Sequence, residues 1–423
     1  MTMNARKRRV HEKLAAMPGV RPVRRPVSPG SSDEFDLYYV RTGRKSAHPL
    51  VIIPGGPGMA SLQVYKGLRR RAAEAGLDVI MIEHRGVGMS RHDDFGADLP
   101  PRAFTVDQVV DDVAAVLDDA RVDSAVLYGT SYGTYIAAGV GVRHPGRVHA
   151  MVLDSPLLSR HDVVLVRDTV RGLLVDGDTA ETAALAPKVR KLIDAGVMTA
   201  AAGEVASTIY AYGGASLLDR ELDLLLAGRM MLWHALSRFA TAFGRKVPYR
   251  YEGDLVSRIA FRELDYGAEP DGLPFDPAAA MREILSDTDA FEAEPYDLVA
   301  EMPKFNWPTV VISGGRDLVT PRAVAEQVVS LVPDAVLVAM PSMAHSALDF
   351  RESAALIVAA AMFRGEIDKL AAQGSKLDAL PAHPAMRLLW KAVGVAAIAE
   401  GALPTLPTLR TGSRQGRVNP IAE

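Results

Sequence analysis

SAVLYGTSYGTYIAAGVGVRHP, Ser124 to Pro145, decides how the rest of the chain is read. An apolar run, Ala125 to Tyr128, leads into Gly129-Thr130-Ser131-Tyr132-Gly133, and an Ala/Gly-rich helical stretch begins at once. A G-x-S-x-G pentapeptide between a strand and a helix holds its serine in a sharp turn, with the hydroxyl presented at a sheet edge. Small residues two positions to either side let strand and helix approach each other. The helix N-terminus stabilises negative charge beside the serine. Ser131 is therefore the candidate nucleophile.

Working outward, Leu50 to Ile53, Val79 to Ile82 and Ala150 to Leu153 are further short apolar runs, each followed by a Gly, Pro or polar turn. Such runs read as parallel strands buried on both faces. Between them TVDQVVDDVAAVLDDA keeps Val106, Val109, Val110, Val113, Val116 and Leu117 on one helical face, and Thr105 with Gln108 has capping-box spacing. The alternation predicts an α/β domain with a mostly parallel, doubly wound sheet. The strand pattern stops near Pro156 and returns at PTVVISGG (Pro308 to Gly315) and AVLVAM (Ala335 to Met340). The organisation expected is a basic, solvated and flexible leader over 1–34, an α/β core over 35–156 and 303–365, an inserted helical cap over 157–302, and a C-terminal extension over 366–423, partly helical and then disordered.

A serine hydroxyl needs a base to accept its proton, and the chain order expected after such an elbow is Ser, acid, His. Asp317 follows a strand end in TVVISGGRDLVTP, and His345 follows the next strand in AVLVAMPSMAHSALDF. His84 and His92 lie too early for this order, and His144 ends the elbow helix. Asp334 precedes its strand, and Asp349 reads as a helix cap. Acyl transfer also needs donors for a developing oxyanion. The backbone N–H of Tyr132 is one; LVIIPGGPGMA supplies the other through Gly56, with Gly55 next in line. Glu83 and Arg85 in IEHRGVGMS are read as shaping the loop under the site.

Composition narrows the remaining classes. The 423 residues are 48% hydrophobic and 23% charged with a net charge of -3, a globular composition that is no polycation seeking nucleic acid. The chain has no cysteine, which removes disulfides, thiolate metal sites and a thiol nucleophile together. No secretory signal is read at the N-terminus. The most apolar stretch, LLWKAVGVAAIAEGAL, is interrupted by Lys391 and Glu400, so no stable membrane insertion is expected and a cytoplasmic location is.

Taken together, PGGPG, EHRGVGMS, GTSYGTY, RHPGRVHAMVLDSP, GGRDLVTP and His345 resemble the proline iminopeptidase and tripeptidyl aminopeptidase branch of the α/β hydrolases. The resemblance implies an α/β-hydrolase fold with a helical cap, and cleavage of an amide at the amino-terminal end of a small peptide. It implies no metal and no organic cofactor. It carries the triad onto Ser131, Asp317 and His345 and the oxyanion donors onto Gly56 and Tyr132. It further implies cap carboxylates that bind the substrate's free amine, for which Glu252, Asp254, Glu263 and Asp265 are the candidates; Trp233 and His234 are read at the cap, Trp233 more as core packing than as lining. Two segments depart from the family pattern: Pro54 stands where a histidine usually opens the oxyanion loop, and Glu83-His84 replaces Asp-Gln. A carboxylesterase on a small ester and a non-hydrolytic ligand-binding protein are the competing expectations.

Overall fold

The computed structural model describes residues 5–243, 246–284 and 289–403. Eight strands form one sheet: β1 (Val20–Pro26), β2 (Glu34–Thr42), β3 (Leu50–Ile53), β4 (Val79–Ile82), β5 (Ala125–Thr130), β6 (Val148–Asp154), β7 (Thr309–Gly314) and β8 (Ala335–Met340). Their order across the sheet is β1-β2-β4-β3-β5-β6-β7-β8. Pairing is antiparallel for β1–β2 and β2–β4 and parallel from β4 through to β8.

The central strands are apolar at every position because both faces are covered. Along β3 and β4 the side chains alternate between two cores. Val51, Ile53, Ile80 and Ile82 face one side, with α3 (Val106–Asp119), α4 (Tyr132–Arg143) and α13 (Arg322–Leu331) packed over them. Leu50, Ile52, Val79 and Met81 face the other, covered by α1 (Ala5–Ala15), α2 (Lys66–Glu74) and α15 (Glu352–Arg364).

Between β6 and β7 the described elements are all helical: α5 (Asp162–Arg171), α6 (Ala186–Asp194), α7 (Ala200–Thr208), α8 (Ala215–Leu226), α9 (Met231–Phe243), α10 (Gly253–Arg262), α11 (Pro277–Ile284) and α12 (Leu298–Glu301). Much of this block has a core of its own, built on Leu174, Val189, Leu218, Leu222 and Trp233. After β8 come the short α14 (Ala347–Phe350), α15, α16 (Gly374–Asp378) and α17 (Pro384–Ala402). No helix among the described residues is long and apolar enough to cross a membrane.

The leader corrects the sequence reading. Residues 20–26, expected to be solvated and flexible, form the edge strand β1 in register with β2, Val20 opposite Val40 and Pro26 opposite Glu34. Two of their three charges are paired: Arg24 bonds Asp94 through both terminal nitrogens at 2.7 Å, and Arg25 reaches the buried Asp112 at 2.8 Å. An edge position also tolerates Pro22 and Pro26, which have no N–H to give a further neighbour. The expectation of disorder near the C-terminus falls on 404–423, outside the described residues.

Candidate active site

The parallel register brings the carboxyl ends of the central strands to one edge, where ligands of open α/β sheets bind. Thr130 lies beside Asp154, and Asp154 beside Ile312. Ser131 follows Thr130 at φ 52, ψ −126 and opens α4 without its side chain capping the helix. Left-handed backbone at a non-glycine residue is strained and persists where the surroundings impose it. Here the imposition is steric and polar. A Cβ on Gly129 would stand 2.3 Å from the Gly133 carbonyl oxygen, and one on Gly133 would stand 2.1 Å from that of Ile53. The Ser131 N–H donates to the Asp154 carbonyl at 2.9 Å, and Thr134 donates to the Ser131 carbonyl through both its N–H and its hydroxyl, at 2.8 and 2.6 Å.

Asp317 sits in the turn after β7 and is almost wholly buried. Its carboxylate accepts from the N–H groups of Val319 and Thr320 and from the Thr320 hydroxyl, each at 2.9 Å. His345 Nδ1 lies 2.9 Å from Asp317 Oδ2 and 3.2 Å from Oδ1. Gly314 permits this approach, since a Cβ there would meet the carbonyl oxygens of Ala344 and Met343 at 2.3 and 2.4 Å. Burial alone would push the Asp317 carboxyl up, but the charge and hydrogen bond of His345, with the backbone donors, hold it below its usual range. For His345, burial works downward and is outweighed by Asp317, with Asp154 and Asp349 adding to the net upward shift.

Among the described residues no hydrogen bond joins the Ser131 hydroxyl to the His345 ring. Their chain neighbours do meet: Thr130 Oγ1 and Ser346 Oγ are 2.8 Å apart. Catalytic hydrogen bonds are often long or misaligned without substrate and tighten when it binds.

The Gly55–Gly58 loop lies against this elbow. A Cβ on Gly55 would be 3.1 Å from Ser131 Cβ and 3.7 Å from its Oγ, so this glycine is the one set directly beside the serine. Gly56 has φ 124, a conformation open to glycine. The Tyr132 N–H opens α4, at a position where helix geometry provides no intrahelical acceptor.

Beneath the loop, Glu83 accepts from the N–H groups of Ser61 and Leu62 at 2.5 and 3.0 Å, and burial raises its carboxyl to about 7. Arg85 makes two 2.7 Å bonds to the Asp112 carboxylate, both groups buried. His84, on the loop after β4, is buried with neither ring nitrogen bonded among the described residues, and burial depresses it to about 4.

The four candidate cap acids fare differently. Asp254 pairs with Arg91 through two 2.8 Å bonds and with Lys246 at 2.7 Å. Glu263 accepts from Val106 N–H at the start of α3 (2.8 Å) and pairs with Arg262. Glu252 accepts from Gly88 N–H at 2.6 Å. These three are engaged by arginines, a lysine or backbone donors. Asp265 is half-buried, with its carboxyl raised by burial against the pull of Arg160, Arg282 and His161. Trp233 packs in the core of the helical block, and His234 is exposed.

Sequence reasoning missed Glu204, on α7. It has no hydrogen bond or ion pair among the described residues, and burial alone pushes its carboxyl up. It lines a small cavity with Val166, Phe275 and Leu318, the last being the neighbour of Asp317. The hydroxyl of Tyr212, buried and raised for that reason first, feels both Asp317 and Glu204. Its one mark in the sequence is isolation, as the sole charged residue between Asp194 and Asp219, and that does not say which way the helix turns it.

Residues 48–195 match the family model described as the alpha/beta hydrolase fold. That match spans β3 to β6 and the elbow between them. The chain has the α/β-hydrolase fold. Among curated relatives, the chain is 23% identical over 332 residues to a probable proline iminopeptidase of Leptolyngbya boryana, covering 77% of the chain and 90% of the relative. It is 26% identical over 142 residues to a proline iminopeptidase of Arabidopsis thaliana, covering 32% of the chain and 34% of that protein. Among solved structures, the proline iminopeptidase of Mycobacterium smegmatis is 18% identical with a TM-score of 0.48, covering 82% of this chain and 99% of its own. Est816, described as an N-acyl homoserine lactone degrading enzyme, is 20% identical with a TM-score of 0.44, covering 79% and 97%.

Proposed function

We propose that the protein is a serine hydrolase that cleaves the amide bond behind the amino-terminal residue of a small peptide, through an acyl-enzyme. The observation that carries this reading is the His345–Asp317 pair at 2.9 Å, set on the strand-end edge that also holds the strained Ser131. One alternative, a non-hydrolytic binder, is disfavoured on chemistry. An inert ligand-binding pocket has no use for a buried carboxylate bonded to an imidazole beside a strained serine.

In the mechanism, His345 Nε2 takes the proton of the Ser131 hydroxyl as its oxygen attacks the carbonyl carbon. Asp317 holds Nδ1 protonated and stabilises the imidazolium. Backbone N–H groups of Tyr132 and of the Gly55-Gly56 loop receive the oxyanion. The imidazolium then gives its proton to the departing amine, and water, deprotonated by the same ring, releases the acyl group. Residues 157–302 act as a cap that limits substrate size and excludes water. Glu204, without a hydrogen bond or ion pair among the described residues and on a small cavity that reaches Leu318 beside Asp317, is the cap carboxylate we assign to a substrate ammonium.

Fluorophosphonate labelling of the wild type, abolished in Ser131→Ala, tests the nucleophile. Proline and alanine arylamides assayed beside short p-nitrophenyl esters test the bond cleaved. Ester turnover without arylamide cleavage would replace the peptidase reading by a carboxylesterase, and an unlabelled wild type would remove the enzyme reading altogether.

A further inference from the structure

We propose that Asp154 is a positioning residue that sets the Ser131 elbow and the His345 loop in register, one through its backbone carbonyl and the other through its carboxylate. This rests on the reading of Ser131 and His345 as nucleophile and base.

Asp154 ends β6, between the elbow strand β5 and the strand that leads to Asp317. Its carbonyl accepts from Ser131 N–H at 2.9 Å. Its carboxylate, fully buried, accepts from Ala347 and Leu348 N–H at 2.9 Å each, and from the Tyr128 hydroxyl at 3.0 Å. Ala347 and Leu348 begin the short α14, two and three residues beyond His345, so these two bonds fix the chain just after the base. The next residue continues the link: Ser155 Oγ accepts from Ser346 N–H at 3.0 Å. Ser346 in turn bonds Thr130 at 2.8 Å and Asp349 at 2.6 Å, and Asp349 accepts from the Tyr65 hydroxyl at 2.6 Å.

Three non-glycine residues with positive φ lie on this network: Ser131 at 52°, Ser155 at 56° and Ser346 at 65°. Each marks a chain turn at the end of a strand or the start of a helix, and each is held by the bonds just named. With no direct bond between the Ser131 hydroxyl and the His345 ring, these indirect bonds fix how the two groups face each other. Asp154 makes no hydrogen bond to the imidazole among the described residues, so it does not stand in for Asp317 as the acid; its carboxylate is engaged by two backbone N–H groups and the Tyr128 hydroxyl. Burial raises its carboxyl to about 6 against the pull of those donors, so it retains its charge at neutral pH, where that charge favours imidazolium on His345.

The test compares full-length wild type, Asp154→Asn and Ser155→Ala. Asparagine keeps the size but turns an NH2 toward an N–H donor, so one of the two α14 bonds must break. The expected result for Asp154→Asn is native far-UV circular dichroism, a fall in kcat on the order of 30-fold, and KM within twofold of wild type. The acid half-point of fluorophosphonate labelling should also move to lower pH. Of the charged groups that act on His345, only Asp154 has lost its charge; Asp317 and Asp349 are kept. A merely structural role would lower stability and leave the half-point and the kcat-against-KM split alone. A folded Asp154→Asn with wild-type kcat and half-point overturns the proposal. If that variant does not fold, Ser155→Ala decides: a several-fold fall in kcat alone supports the proposal, and wild-type kcat overturns it. An unlabelled wild type overturns the underlying reading instead, and with it this one.

Discussion

His345 can serve as a base only while its ring is neutral, and its surroundings make that state harder to reach. Its shift is net upward from 6.5, because Asp317 outweighs burial. As pH falls through the raised value the base form is lost, so the labelling rate at Ser131 is expected to drop with a half-point above 6.5. Asp317→Asn removes the main cause, so the half-point should fall and kcat should drop on the order of 10⁴-fold. Labelling followed from pH 5 to 9 checks both, and a half-point unmoved by Asp317→Asn would break the pairing argument. Glu204 makes a second claim at this scale. Glu204→Gln is expected to raise KM for alanine p-nitroanilide on the order of 30-fold, the effect of removing one partner of a desolvated charge pair, and to leave a short p-nitrophenyl ester within twofold. Equal losses on both substrates would show that Glu204 does not read the amine. Asp317 and His345 were legible because each follows a strand end in the expected chain order. Glu204 was not, because its role depends on which way one face of α7 points, and that is set by packing between distant segments.

Elements carry a different kind of constraint. The elbow works as a unit of strand, turn and helix only because Gly129 and Gly133 let backbone approach backbone, the latter within reach of Ile53 on the neighbouring strand. Gly133→Ala would press a methyl against a main-chain oxygen that cannot rotate away. A destabilisation of about 3 kcal/mol is expected, read as a lower urea midpoint together with reduced labelling of Ser131. Gly146→Ala, with nothing near its Cβ and no positive φ, should stay within about 0.5 kcal/mol of wild type. Equal midpoints for the two variants would refute the close-approach argument. Strand and helix order across β3 to β6 was legible from apolar runs and periodicity, since both follow from local burial on two faces. The edge strand β1 was not. VRPVRRP has four charges or prolines in its first six residues, and what makes it a strand lies elsewhere: the acids Glu34, Asp36, Asp94 and Asp112 that receive Arg24 and Arg25.

For the whole molecule, the consequential contact is between the chain's last described helix and the block inserted in its middle. Val393 and Ala397 of α17 are buried in the same core as Leu218, Leu222 and Trp233, and Trp390 stacks on Tyr212, their ring planes 8° apart. Tyr212 in turn meets Phe350 of α14, 4.8 Å away, just beyond His345. Glu400 adds a polar tie, accepting from Met231 and Leu232 N–H at the start of α9 at 2.9 and 2.7 Å. The tail is thus a brace on the helical block, reaching through aromatic rings to the base. No local pattern announces this, because α17's partners lie about 170 residues earlier. Ending the chain at residue 383 would remove one buried valine, worth about 2 kcal/mol, and the cap on α9, worth about 1 kcal/mol. The sheet core would keep all its strands. The expected outcome is a melting temperature lower by about 5–10 °C, with trypsin cutting first within residues 160–300. Arylamide turnover should fall further than fluorophosphonate labelling, since the small probe reacts at Ser131 without using the cap. If the shortened chain melted and was cleaved like the full one, α17 would be a passenger, and the block over the site would have to stand on its own core.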